Sequence, residues 1–221
     1  MTREEQMAEF GKLLDIMDEL RAKCPWDMKQ TNESLRKLTI EEVYELGDAI
    51  LNANAGEIKK ELGDILLHIV FYAKIGSENG QFDMGDVIHS LIAKLIYRHP
   101  HVFSDANAQT ARQVEENWEA LKLKEKGRSK RVLEGVPAAL PAMVKANRIQ
   151  EKARGVGFDW EAKEQVWDKV REELDELEAE MKANHRINME KELGDFIFSI
   201  INAARLYELD PESALERTNQ K

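Results

Sequence analysis

The chain is predicted to be all-α, built as two tandem helical modules, and three observations carry that prediction. Ile58, Leu62, Ile65, Ile69 and Ala73 recur at steps of three and four, the period of one helical face. With 12 Gly and 5 Pro in 221 residues, beside many Glu, Lys, Leu and Ala, the composition favours helix over sheet. The sequence also repeats itself when displaced by 131 positions. Glu41-Glu42-Val43-Tyr44-Glu45-Leu46 then falls on Glu172-Glu173-Leu174-Asp175-Glu176-Leu177, and Lys60-Glu61-Leu62-Gly63-Asp64 falls on Lys191-Glu192-Leu193-Gly194-Asp195. The 19-residue interval from Glu42 to Glu61 is reproduced from Glu173 to Glu192. A tandem duplication explains this; chance does not.

Each element has its own signal. Thr2 to Glu5 has the Ser/Thr-x-x-Glu form of a capping box, so the first helix begins there and runs to about Arg21, where Cys24-Pro25-Trp26-Asp27 closes it. A second helix is expected over 39–53, with Thr39 to Glu42 as its possible capping box. The repeat argues against a mere cap, since Val170 stands at the Thr39 position and Glu173 is retained. Asn54-Ala55-Gly56 supplies a turn, a third helix follows over 57–77, and a fourth over 84–98 is stopped by His99-Pro100-His101. Thr110 to Gln113 has the form of another capping box, opening a helix toward Lys126. The stretch Lys122 to Arg131 reads as an exposed basic linker, followed by the proline-punctuated Pro137 to Pro141. Further helices are placed near 138–153, 161–182, 187–208 and 211 to the end.

In the repeat, Trp26-Asp27 finds a counterpart in Phe158-Asp159 one gap out of register. Asp83 to Lys94 matches Asp210 to Lys221 after a four-residue deletion. The organisation is therefore a first module over 1–105, a linker with a helix over 106–137, and a second module over 138–221 whose last helical segment is expected to be truncated.

Charge narrows the function classes. Against 32 Lys and Arg stand 42 Asp and Glu, a formal net charge of −10, which argues against a broad nucleic-acid footprint. Charged residues make up 33% of the chain and no apolar run reaches the roughly 18 residues of a membrane span, so a soluble, cytoplasmic protein is expected. Cys24 is the only cysteine, which excludes an intrachain disulfide and a thiolate zinc cluster.

The chemistry lies in the repeated carboxylates. Residues three apart on a helix share a face, so Glu42 with Glu45, Glu61 with Asp64, Glu173 with Glu176 and Glu192 with Asp195 each form a close acidic pair. Like charges so spaced repel, and these border the apolar Ile58, Leu62, Ile65, Ile69 stripe that is expected to pack inward, so a cation should offset them. An antiparallel hairpin around Gly56 would bring four carboxylates of each copy together. All-oxygen donors select a hard cation such as Mg²⁺ or Mn²⁺ over zinc or copper. Di-iron bundles want Glu-x-x-His. His68 does follow Asp64 by four residues, but the second copy has Ser199 there, which assigns His68 to packing or to a hydrogen bond behind the site.

Magnesium held by carboxylates binds substrate phosphates and can activate a water for in-line attack at phosphorus, so hydrolysis of a phosphate ester or anhydride is implied. No Gly-x-x-x-x-Gly-Lys-Ser/Thr loop is present, which excludes a P-loop motor. Phosphate charge must be met by single basic side chains. Lys94 and Arg98, spaced i, i+4, are candidates, as is Lys221, the repeat counterpart of Lys94.

Glu-Glu-x-x-Glu followed by Glu-x-x-Asp, in tandem, resembles the MazG family of the all-α nucleoside triphosphate (NTP) pyrophosphatase superfamily. Cys24-Pro25-Trp26-Asp27-x-x-Gln30-Thr31, Arg98-His99-Pro100-His101-Val102-Phe103 and Gly155-Val156-Gly157-Phe158-Asp159-Trp160 are similar to that family's motifs as well. The resemblance implies Mg²⁺-dependent cleavage of an NTP between the α and β phosphates, giving nucleoside monophosphate (NMP) and pyrophosphate. It implies that Glu42, Glu45, Glu61 and Asp64, and likewise Glu173, Glu176, Glu192 and Asp195, hold the metal. It implies a homodimer in which metal hairpins complete four-helix bundles, with the second copy catalytic. It further implies a basic and aromatic helix beyond the position of Lys221, carrying the arginine that would match Arg98. A neighbouring carboxylate such as Glu41 or Glu172 would take the proton of the attacking water, and Asn202 and the Trp residues are candidates for base contacts. Two alternatives stand beside this reading. One is a related phosphohydrolase of the dUTP or phosphoribosyl-ATP type; the other is a non-catalytic nucleotide-sensing or protein-binding scaffold.

Overall fold

The computed structural model describes residues 1–104 and 132–221, and between them 110, 113, 114, 117, 118 and 121. Among the described residues every regular element is helical. They divide into two compact units, Met1–Tyr97 and Arg98–Lys221.

In the first unit, α1 (Arg3–Lys23) starts at a complete capping box between Thr2 and Glu5 and stops at Cys24. A 3₁₀ turn over Asp27–Lys29 leads to α2 (Asn32–Leu51), which begins seven residues before the predicted start of the second helix. The cap is Thr31 with Ser34, whose hydroxyl replaces the usual Glu or Gln. Thr39 is no cap: it lies inside α2, where its hydroxyl donates to the Leu35 carbonyl and shares a 2.7 Å hydrogen bond with Tyr72. The α2–α3 turn is Asn52-Ala53-Asn54 rather than Asn54-Ala55-Gly56, with Ala53 at φ 51° and Asn54 capping α3 (Ala55–Glu78). α4 spans Met84–Arg98, as predicted, and the boundary between the units falls in its last turn. Met17, Leu35, Val70, Phe71 and Ile75 form the core, joining α1 and α2 to the second half of α3. Arg21 fastens that half of the unit. It pairs with Glu78, donates to the carbonyls of Asp27 and Gln30, and lies 5.5 Å from the Phe71 ring centre. Its hydrogen bond holds the Glu78 carboxyl below its ordinary range.

The second unit contains α5 (Pro100–Phe103), a 3₁₀ turn over Val132–Gly135, α6 (Ala142–Arg154), a 3₁₀ turn over Lys163–Gln165, α7 (Val166–Ala183), α8 (Arg186–Leu206) and α9 (Pro211–Asn219). Gln113 N–H donates to Thr110 Oγ1 at 3.2 Å, as the predicted cap requires, but the helix placed from there to Lys126 and the linker over 122–131 lie largely outside the described residues. α7 and α8 pack as an antiparallel hairpin, the counterpart of α2 and α3. Val166, Val170 and Ala203 form its small core, with Phe196 and Leu206 against it. Asn184 closes α7 at φ 56°, at the repeat position of Ala53. Asp159, the counterpart of Asp27, is gripped by Arg205 of α8 at 2.6 and 3.2 Å.

Candidate metal centre

The two hairpins build the same constellation twice. Oxygens of Glu42, Glu45 and Glu61 lie within 4.8 Å of one another, and so do those of Glu173, Glu176 and Glu192. α2 supplies the first two of each trio in unit one and α7 in unit two, while α3 and α8 supply the third. Asp64 and Asp195, one turn further on, stand outside these tight groups. Asp64 still acts on Glu42 through space, and Asp195 lies 3.9 Å from Lys191.

Burial on α3 follows expectation only in part: of the predicted inward stripe Ala73 is buried and Ile58 and Ile65 are half-buried, but Leu62 and Ile69 are not. Glu61 is 3% exposed and His68 is buried, whereas Leu62 is 52% and Ile69 40% exposed. Two apolar side chains of the stripe predicted to face inward are thus left out, while the bordering Glu61 carboxylate is turned in. α8 repeats the inversion: Glu192 and Ser199 are buried, and Leu193, Ile197 and Ile200 are exposed. A helix that buries acid and exposes leucine is unfavourable by itself, because a carboxylate loses hydration while apolar area stays wet. Each half of the inversion asks for something outside the hairpin: a cation at the acids and a covering surface at the leucines.

The electrostatics agree. Burial first, then the charges of Glu45, Asp64, Glu61 and Glu41, pushes the Glu42 carboxyl above its ordinary range. Glu176 is raised in the same direction by desolvation, Glu173 and Glu192. Both trios recruit a lysine from the preceding residue. Lys60 reaches Glu61 at 2.8 Å and Lys191 reaches Glu192 at 3.0 Å. The second copy adds Lys169, at 2.7 Å from Glu173 and 2.9 Å from Glu172. Hydrogen bonds to Glu173 and Glu172 hold its ammonium well above the usual lysine range. Only carboxylate oxygens are offered, and Glu61 Oε2 is buried with no hydrogen-bond partner among the described residues. A hard cation fits both features.

The remaining predicted residues are placed as follows. Glu41 is exposed, and Glu172 lies in an open depression on α7 with Asp168, Arg171, Asp175, Glu176 and Ala179, so that the trio member Glu176 borders it. Lys94 is exposed on α4. Arg98 is buried, with its guanidinium 5.2 Å from the centre of the Trp118 ring, so it is engaged with an aromatic face. Asn202 accepts two hydrogen bonds from Arg205, and Lys221 is exposed. Among the described residues His68 Nδ1 has no hydrogen-bond partner, so packing describes it and a hydrogen bond through that nitrogen does not. Sequence reasoning asked for a cation near the acids but assigned no role to Lys60, Lys191 or Lys169. The signal was available: Lys-Glu is part of the repeat, and Lys169 precedes Glu173 by one helical turn.

Two helix hairpins that each gather carboxylates from both of their helices define a class: all-α proteins with an acidic, cation-ready centre. The comparison with known families makes the assignment specific. Residues 30–103 and 161–221 match the model of the MazG nucleotide pyrophosphohydrolase domain, and the chain belongs to that family. A Thermotoga maritima protein named nucleoside triphosphate pyrophosphohydrolase/pyrophosphatase MazG is 46% identical over 215 residues, covering 96% of this chain and 82% of the relative. The nucleoside triphosphate pyrophosphohydrolase of Escherichia coli strain K12 is 39% identical over 222 residues, covering 97% and 84%. The like-named Mycobacterium tuberculosis protein is 37% identical over 145 residues, 65% of this chain and 44% of its own length.

Proposed function

We propose that this chain is a Mg²⁺-dependent enzyme that hydrolyses nucleoside triphosphates to NMP and pyrophosphate, clearing unwanted nucleotides from the NTP and dNTP pool. Membership of the family and the names of its relatives support the reaction class. The observation that carries the metal reading is the twice-built trio of carboxylates, in which Glu61, Glu173 and Glu192 are buried while apolar neighbours such as Leu62 and Leu193 are exposed. Glu42, Glu45, Glu61 and Asp64, with Glu173, Glu176, Glu192 and Asp195, would hold Mg²⁺, which supplies Lewis-acid activation of water and charge neutralisation at phosphate. Mn²⁺ satisfies the same donor set.

The chain's own residues divide the other tasks. In the second copy, Glu172 is exposed at the depression beside the trio, with Lys169 at 2.9 Å, where it can accept the proton of a water attacking the α-phosphorus. Glu41 is its counterpart in the first copy. Lys94 and Lys221 are exposed cations for phosphate, and Arg98, buried against the Trp118 ring, is the third candidate. Asn202 and the tryptophans are the candidates for base contacts.

The molecule would work as a homodimer of chains organised as modules over 1–105 and 138–221 with a linker over 106–137. The exposed Leu62, Leu66 and Ile69 row and the matching Leu193, Ile197 and Ile200 row are the surfaces that a second hairpin would cover to complete a four-helix bundle. Among the described residues no helix is long and apolar enough to cross a membrane. Incubating the protein with a mixed NTP pool, with and without Mg²⁺, tests the proposal. Metal-dependent pyrophosphate release supports it, and none under either condition leaves a non-catalytic scaffold.

A further inference from the structure

The two carboxylate trios differ in their charged neighbours. Each has the lysine that precedes its buried glutamate, Lys60 for Glu61 and Lys191 for Glu192, and each of these lysines stands near one further acid of its own centre, Lys60 at 4.0 Å from Glu45 and Lys191 at 3.9 Å from Asp195. Lys169 is found in the second copy alone. Its ammonium touches Glu173, a trio member that is 7% exposed, at 2.7 Å and Glu172 at 2.9 Å. The residue at that register position in the first copy is Leu38, which packs against the core of Met17, Leu35, Val70, Phe71 and Ile75. Glu42, the counterpart of Glu173, therefore has an apolar residue one turn before it where Glu173 has an ammonium.

We infer that Lys169 is an internal counter-cation that competes with the metal at Glu173, so that the two copies of one chain bind divalent cations with unequal affinity, the first tightly and the second weakly. This rests on the metal reading above and adds an order of loading. A metal entering the second trio must displace a charge-assisted hydrogen bond from a mostly buried carboxylate, while one entering the first gains an acid cluster in which, among the described residues, no ammonium bonds Glu42. Breaking a hydrogen bond of that kind corresponds to a weakening of roughly tenfold or more in dissociation constant. As free metal rises, the first copy fills before the second.

Mn²⁺ binding, followed by electron paramagnetic resonance of the free ion, tests this without reference to turnover. In the full chain, Glu61→Gln with Asp64→Asn leaves the second copy as the reporter, and Glu192→Gln with Asp195→Asn leaves the first. The second-copy reporter is expected to bind Mn²⁺ about tenfold or more weakly, and adding Lys169→Leu should bring its affinity up toward that of the first. Lys169→Met serves as a second variant of closer length, and thermal melts in chelator show that each protein is folded. Equal affinities in the two reporters, or an affinity unchanged or lowered by both Lys169 substitutions, would overturn the inference while leaving the metal reading intact. An absence of Mn²⁺ binding in both reporters would overturn the two together.

Discussion

Glu61→Gln is expected to stabilise the metal-free protein and destabilise the metal-loaded one. Glu61 is 3% exposed, its Oε1 takes a hydrogen bond from Lys60 at 2.8 Å, and its Oε2 has no partner among the described residues. An orphaned buried oxygen costs about 1–3 kcal/mol. Repulsion from Glu42 and Glu45 adds to it: at the 4.8 Å limit of the cluster, one like-charge pair costs roughly 3 kcal/mol at an effective dielectric of about 20. Because the Glu45 side chain is about half exposed, solvent screening reduces that to about 1 kcal/mol or less. Glutamine removes the charge, keeps an acceptor for Lys60, and offers its amide to the neighbouring carboxylates. A net gain of about 1–2 kcal/mol follows, or a rise in melting temperature of about 2–8 °C in chelator. With a divalent metal at about 100 times its Kd, the wild-type centre gains about 2.7 kcal/mol, and the variant, short of a ligand, loses most of that. Differential scanning fluorimetry in EDTA and in excess Mg²⁺ or Mn²⁺ should therefore show the order of the two proteins reverse. A variant that melts below wild type in chelator, or that keeps the full metal-induced rise, would refute the reasoning.

Three further outcomes are expected. Glu192→Gln should lower turnover by orders of magnitude, since a lost ligand misplaces both water and phosphate, whereas Glu61→Gln should act mainly on stability; steady-state pyrophosphate assays of the pair decide which copy works. Burial alone would raise the Asp159 carboxyl, but hydrogen bonds from Arg205 and the Trp160 N–H, with the charge of Arg205, hold it below its ordinary value. A depressed native pKa contributes stability above the unfolded value that disappears as pH falls through the native one, so Asp159→Asn should lower the melting temperature at neutral pH and the gap should close in strong acid. Ala53→Asn should raise the melting temperature by about 1–4 °C in thermal melts, because alanine at φ 51° carries a left-handed penalty of about 1 kcal/mol that asparagine, already present at Asn184, partly avoids.

The helices and the paired acids were legible in the sequence because both rest on local spacing. α1 and α4 follow from the Thr2–Glu5 capping box and from His99-Pro100, and the repeat assigned matching functions to residues that a single Glu-x-x-Glu could not have distinguished from a solvated face. The start of α2 was obscured because Ser34 does the work of the usual Glu or Gln at the third position, which made Thr39 look like a beginning. The α2–α3 turn was misplaced because Ala53 occupies a left-handed position where a glycine or asparagine would have announced it. The direction of the α3 stripe was hidden for a deeper reason. Periodicity identifies an apolar face but not what covers it, and Leu62 and Ile69 belong to a surface that the hairpin itself does not bury. The exclusion of Asp64 and Asp195 from the tight trios depends on the rotation of α3 against α2 and of α8 against α7, which spacing along one helix does not determine.

Hydrolysis of an NTP in heavy-oxygen water, with mass spectrometry of the products, tests the central claim most directly, because the label marks the phosphorus attacked. One labelled oxygen in the NMP, unlabelled pyrophosphate, and loss of both products in EDTA are the predicted result. Nucleoside diphosphate with labelled orthophosphate, label in the pyrophosphate, or full turnover in excess chelator would contradict it.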